Sequence, residues 1–381
     1  MKNFNQTVKI LKDYDLQLYT NKRGSSLRLL MLLIVLFPWF LNAAVKTSTV
    51  NGNWSSGSTW SPYGAPSSSD KVKIYHEVTL NQNYTASDTV FVYNTLNLSS
   101  GKILTLNPGK MILVNDASYN GRIGKVSSGA NITGNFTFQK WITRCDGYSV
   151  YGSPFDVTTS DFDWYYCYQC QPSWSNLYYY NESSTGSYDN GYYDNIGGNI
   201  GRGKGFFYWY SNYTGGQNFP RKISLDGTIN FTNDFNFNIS YTSTNGSYTN
   251  DGYNLVSNPF PGTIDWLDSD WTKDNVSSVI YSWNSCSNVY AAYVSGISVN
   301  GGSRYIPSMQ GFWVKATNSS PTLKVKSGAM VSNSQTLLRQ SSADSVNNVL
   351  RVTLDNDEIA IHLDPASTNT LDSETDALKF F

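Results

Sequence analysis

Leu96-Asn-Leu98-Ser-Ser-Gly101-Lys102-Ile103 is followed directly by Leu104-Thr-Leu106-Asn-Pro-Gly109-Lys110-Met111, and Ile112-Leu-Val114 opens a third copy. An eight-residue period of this form puts an apolar side chain at alternate positions, then ends each short strand at a glycine corner. Short equal strands with tight corners predict a β-solenoid in which three such strands complete one coil. An antiparallel meander with Ser-Gly and Pro-Gly turns is the alternative reading of the same pattern. The segment 45–140 is accordingly assigned to a solenoid-like or meander β-domain.

A longer repeat follows. Gly147-Tyr148-Ser-Val150-Tyr-Gly152-Ser153-Pro154-Phe155 returns as Gly252-Tyr253-Asn-Leu255-Val256-Ser257-Asn258-Pro259-Phe260, an offset of 105 residues. Leu177-Tyr-Tyr-Tyr-Asn181 aligns with Ile280-Tyr-Ser-Trp-Asn284 at 103, and Lys204-Gly205-Phe-Phe207 with Gln310-Gly311-Phe-Trp313 at 106. Three matches in one order at nearly constant offset predict two related β-sandwich domains, 141–245 and 246–340. Within them, Pro before an aromatic marks a strand end. A Gly before two aromatics marks a close approach of backbone to a neighbouring sheet. These are read as determinants of fold. The remaining segment, 341–381, begins with Val349–Leu354 and Ile359–Leu363 around a polar turn, the start of an incomplete carboxy-terminal β-domain. Such a hairpin either docks on the preceding domain or belongs to a third one. The expected class is all-β throughout.

At the other end, Leu29–Leu41 is a run of thirteen apolar residues preceded by Lys22, Arg23 and Arg28 and followed by Asn42-Ala43-Ala44. A spanning helix needs about 20 apolar residues and a signal core about 7–15, so residues 1–44 read as a signal peptide. A retained membrane anchor is the alternative. No later segment is apolar enough to span, so the mature chain is expected to lack a transmembrane span.

Composition narrows the function. The 381 residues carry 27 Lys+Arg against 28 Asp+Glu, a net charge of −1, which disfavours nucleic acid as a partner. With 28 Tyr, 18 Phe and 11 Trp there is ample apolar area for a core. His76 and His362 are the only histidines, too few for a triad or a multi-histidine metal site. Gly198-Asn-Ile-Gly-Arg-Gly203-Lys204-Gly205 approaches a phosphate-binding loop. It has Gly205 where a Ser or Thr would bind magnesium, and an aromatic strand follows instead of a helix, so the match is rejected. No cofactor is expected.

Cys145, Cys167, Cys170 and Cys286 are candidates for disulfides, with three connectivities open. Cys167-Tyr-Gln-Cys170 has redox or zinc spacing but lacks a second close pair and a helical context. Asp265, Asp268 and Asp270 sit beside Trp266 and Trp271, and Asp161 and Asp163 beside Trp164. Asp163 and the first cluster are candidates for acid catalysis, and the first cluster also for a calcium site, against the plainer role of holding a turn. Tyr178-Tyr179-Tyr180 and Tyr192-Tyr193 suggest stacking on sugars or anchoring a protein, although strand alternation sends about half of such a run inward.

Gly252–Pro261, Ile264-Asp-Trp266, Ile280–Asn284 and Ile306-Pro-Ser-Met-Gln-Gly-Phe-Trp-Val-Lys315 together resemble a module of exported Bacteroidota proteins handled by the type IX secretion system. Asn53-Trp54 through Val114 is similar to the solenoid-type segment that often precedes it. Asp357–Ile361 and Leu371–Lys379 are similar to the strand region before the sorting domain of that group. The resemblance implies export to the cell surface or the medium, with the chain truncated before a sorting domain. Asp88-Thr89-Val90 and Asp344-Ser345-Val346 resemble the group's short O-glycosylation acceptor. The expected function is a non-enzymatic surface or extracellular β-protein that serves adhesion, glycan or partner-protein binding, or surface assembly. The alternative is a carbohydrate-active protein using an Asp pair.

Overall fold

The computed structural model describes residues 43–142, 147–162, 166–167, 173–184, 188–194, 198–209, 221–244, 251–333, 347–365, 367 and 376–377. The apolar stretch Leu29–Leu41, the acid Asp163 and two of the cysteines, Cys145 and Cys170, lie outside them. The described residues are β-strands joined by turns and short 3-10 segments, with no α-helix among them. The fold is all-β.

The eight-residue period is a solenoid. Strands Thr95–Leu98, Ile103–Leu106 and Met111–Leu113 fall on three different sheets, so three copies build one coil. Each strand pairs in parallel with its equivalent one coil away: Glu77–Leu80 with Thr95–Leu98, Tyr84–Ala86 with Ile103–Leu106, and Val90–Val92 with Met111–Leu113. Parallel pairing rules out the meander. Side chains in register stack into interior ladders, and Val72, Val90, Met111 and Phe136 form one of them. The third copy is read one residue out of step by the period alone, because Met111 and Leu113 point inward while Ile112 does not. The corner before it is drawn tight at Gly109, whose amide bonds Ala86 O at 3.0 Å and where a Cβ would lie 2.4 Å from that oxygen. At the first coil the buried rings of Trp54 and Trp60 close the interior, 5.3 Å apart. Asp70 ties the entering chain by accepting from Ala44 N and Ser67 N. At the last coil, Arg221–Gly227 pairs antiparallel with Phe136–Ile142 and extends the sheet.

The two repeats have equivalent sheets. In the first the strand order begins Tyr148–Tyr151, Phe206–Trp209, Leu177–Tyr180; in the second it begins Tyr253–Ser257, Gly311–Ala316, Val276–Asn284. The register is also preserved: Val150↔Phe207 becomes Leu255↔Trp313, and Leu177↔Tyr208 becomes Ile280↔Val314. Main-chain conformation follows suit, since Gly147 and Gly252 both have positive φ, as do Gly203 and its counterpart Met309 (φ 75° and 65°).

Each sheet is covered on both faces. Phe206, Tyr208, Leu177 and Tyr179 belong to a core continuous with the solenoid interior, as do Phe312, Val314 and Ile280 in the second repeat. The alternate residues Val150, Phe207, Leu255, Tyr281 and Trp313 form a second core in which the two sheets meet. Burial on both sides explains why these strands read as unbroken apolar and aromatic runs.

The contact between repeats is reciprocal. Gly152 N donates to Met309 O at 3.1 Å, and its counterpart Ser257 N donates to Gly203 O at 2.8 Å. Likewise Tyr151 bridges Gln310 while Lys204 bridges Val256. A matched pair of contacts exchanged between equivalent positions is the signature of a twofold axis, here internal to one chain. Gly205 and Gly311 permit it, since a Cβ on either would lie within 3.0 Å of a backbone oxygen of the other repeat. The hairpin Val349–Leu354/Asp357–His362 docks through its polar face: Arg351 donates to Ser298 O, and Asn300 N donates to Glu358. Its other face leaves Leu350, Val352, Ile359 and Ile361 exposed.

Candidate functional site

A cleft of about 710 Å3 opens where the first repeat, the start of the second and the chain between them meet. One wall comes from the end of strand Leu177–Tyr180 and from Tyr193. Alternation along the strand buries Leu177 and Tyr179 and leaves Tyr178 and Tyr180 half-buried, so only part of the tyrosine run is available to a ligand. Tyr180 lies edge-on to Trp313 at 4.7 Å, which holds its ring against the shared core. Tyr193 is exposed at the rim.

The floor is the turn Gly201–Lys204, the segment that approaches a phosphate-binding loop in sequence. Its amides are spent within the protein: Arg202 N on Asp156, Gly203 N on Ser153 O, Lys204 N on Gly201 O. The flanking elements are strands Asn199–Ile200 and Phe206–Trp209, so no helix N-terminus faces the turn. That geometry leaves no cradle for phosphate. The Arg202 guanidinium is wedged over Phe235 and Phe260 and donates through Nε to Pro259 O, and burial lowers its pKa to about 10. Lys204 reaches the cleft, donates to Tyr193 Oη at 3.0 Å and lies 4.4 Å over the Tyr179 ring. Among the described residues no carboxylate pairs with it.

The far wall is Phe235–Ser240. Phe237 is buried and bonds Leu323 O through its amide, while Asn236 and Asn238 face outward. Behind this wall the carboxylate of Glu182, itself buried, accepts from Ser240 Oγ, Thr242 N and Oγ1, and Gly252 N. It clasps the interrepeat chain to both repeats. Neither Glu182 nor Phe235–Ser240 is singled out by the sequence reading. The alternating Phe-Asn-Phe-Asn-Ile-Ser pattern is the signal for the strand, and nothing marks the acid, whose partners lie at least 58 residues away.

The acid cluster is elsewhere; Asp265 and Asp268 are committed to structure, and Asp270 is half-buried with its carboxylate beside Gly328. Asp265 accepts a two-point contact from Arg304 and a further bond from Leu267 N. Asp268 holds the turn through Asp270 N at 2.9 Å. Trp266 and Trp271 are buried, and their indole N–H groups bond Ser278 O and Asp265 O, so neither offers a face to a sugar. Among the described residues no group of three His, Cys, Asp or Glu side chains is placed to hold a metal. Cys286 is disulfide-bonded; the side chains of Cys145, Cys167 and Cys170 lie outside the described residues. A separate row of rings lies on the solenoid, Tyr75 stacked on Tyr93 at 4.3 Å with the exposed Tyr119 4.9 Å from Tyr93. No helix among the described residues is long and apolar enough to cross a membrane. The sequence matches no protein-family model, and neither a curated protein nor a solved structure is similar to it.

Proposed function

We propose that this chain is an exported, non-enzymatic β-protein that holds a glycan or a partner protein in the cleft between its repeats, in adhesion or surface assembly. The observation that supports this reading is the combination in one cleft of the exposed Tyr193 ring and the Lys204 ammonium, which meet on the face of the sheet that carries Tyr179. Amphipathic rings beside hydrogen-bonding groups on rigid elements suit recognition at low entropic cost. The export part rests on the apolar stretch after Lys22, Arg23 and Arg28 and on the resemblance to proteins of the type IX secretion class. Against hydrolysis by an Asp pair, Asp265 and Asp268 are engaged by Arg304 and by turn amides, while Asp270 and Asp163 stay its candidates. A glycan array and a pull-down from surface extracts, each run with the full chain and with Tyr193→Ala, test the reading. Binding in either format that Tyr193→Ala weakens about tenfold supports it. Absence of binding in both, or binding indifferent to the substitution, overturns it.

A further inference from the structure

The strand Phe235–Asn236 is the edge of a three-stranded sheet, paired on one side only with Thr322–Val325. The register decides which backbone groups remain. Phe237 N bonds Leu323 O, so in antiparallel alternation the odd residues face the partner strand, and the N–H and C=O groups of Asn236 and Asn238 face the other way. No described residue bonds those groups. The cleft runs along this edge, because its lining includes every residue from Phe235 to Ser240. The edge ends at Ser240, where the Asn254 side chain both accepts from the backbone N–H and donates to the C=O. Natural edge strands are normally blunted by proline, charge or a covering segment. Here Asn236 and Asn238 supply neither charge nor proline, and the free edge lies in a recess instead of on an open surface.

We infer that the cleft takes an extended polypeptide segment, which adds as a strand along Asn236–Asn238 and carries a carboxylate to Lys204. Resting on the reading of this cleft as the binding site, the inference specifies the class of ligand. Main-chain hydrogen bonds to the edge supply affinity without regard to sequence, and side chains at alternate positions of the guest supply selectivity. One set of those side chains faces the wall of Tyr193 and Lys204. The ammonium of Lys204 has spent one donor on Tyr193 and has no carboxylate of its own among the described residues. An aspartate or glutamate on the guest completes it. Glu182 does not compete, because both its oxygens are already filled by Ser240, Thr242 and Gly252.

The probe is a random heptapeptide library displayed on phage and selected against the full chain, followed by an N-methyl scan of one selected peptide. Strand addition predicts enrichment of acidic residues. It also predicts loss of binding by about tenfold when alternate peptide nitrogens are methylated, with the intervening ones tolerant. Asn238→Pro removes an outward N–H at an edge position and is predicted to reduce binding of the same peptide. Lys204→Gln is predicted to remove the preference for acidic residues. The N-methyl scan needs no variant, so the test survives a substitution that fails to fold. Uniform tolerance of N-methylation overturns the inference, as does binding unaffected by both substitutions. If the glycan array is positive and no peptide is selected, strand addition is wrong while the cleft remains a binding site. If neither class binds, both readings fall.

Discussion

Lys140 occupies an inward position in a strand whose neighbours alternate strictly, and it is the buried charge in Phe136–Ile142. Desolvation lowers its pKa from the ordinary value of 10.5 to about 8. The sign of the consequence is definite. Between about pH 8 and 10.5 the unfolded chain holds a proton that the folded chain has released, so stability rises with pH across that window. Below it both forms are protonated and the burial penalty is constant. Lys140→Met is predicted to stabilise the protein at neutral pH by on the order of 1–3 kcal/mol and to abolish the alkaline gain. Urea midpoints of the two chains from about pH 7 to about pH 10 check this, and parallel curves would refute it. Asp265 is the opposite case, a buried acid held by Arg304. Asp265→Asn weakens the contact with the partly exposed Arg304 guanidinium and is predicted to cost on the order of 1 kcal/mol, read as a lower urea midpoint at unchanged slope. A residue kept only for catalysis would not produce that loss.

The strands differ in how much of their placement is legible. Most solenoid strands announce themselves because one face is buried, so Lys71–Ile74 and Glu77–Leu80 alternate in sequence as they do in burial. The Gly and Pro-Phe anchors of the repeats are equally visible, since Phe155 and Phe260 fill equivalent buried corners. The sandwich cores are harder to read. A strand such as Tyr253–Ser257 is buried at every position, and its pattern does not say which face meets the other repeat. The cleft was legible only in part: Tyr180, Tyr193 and the Gly201–Lys204 turn stand out in the sequence, whereas Glu182 and the Asn236–Asn238 edge depend on pairing between distant segments. At the hairpin, the apolar side chains Val352 and Ile359 face each other on the exposed side. Replacing both by Thr is predicted to cost less than about 1 kcal/mol, because only the contact between the two side chains is lost. A large drop in thermal midpoint would show that this face is covered within the chain.

The whole molecule is an interlocked assembly. From Ala44 onward the chain forms one compact unit, because the repeats share a core with each other and are continuous with the solenoid through Phe136, Phe155 and Ile123. Two copies of one module, related by an internal twofold, have lost the independence that tandem domains usually keep. Tyr180 against Trp313, and Trp283 Nε1 on Tyr148 O at 2.8 Å, are bonds that neither copy can make alone. Amide hydrogen exchange at residue resolution tests this most directly at Gly152 and Ser257, whose N–H groups donate across the axis at equivalent positions. Both are predicted to exchange only through global unfolding, with equal protection and equal dependence on denaturant. Rapid exchange of either amide under native conditions, or different denaturant slopes for the two, would contradict a single core held by a reciprocal contact.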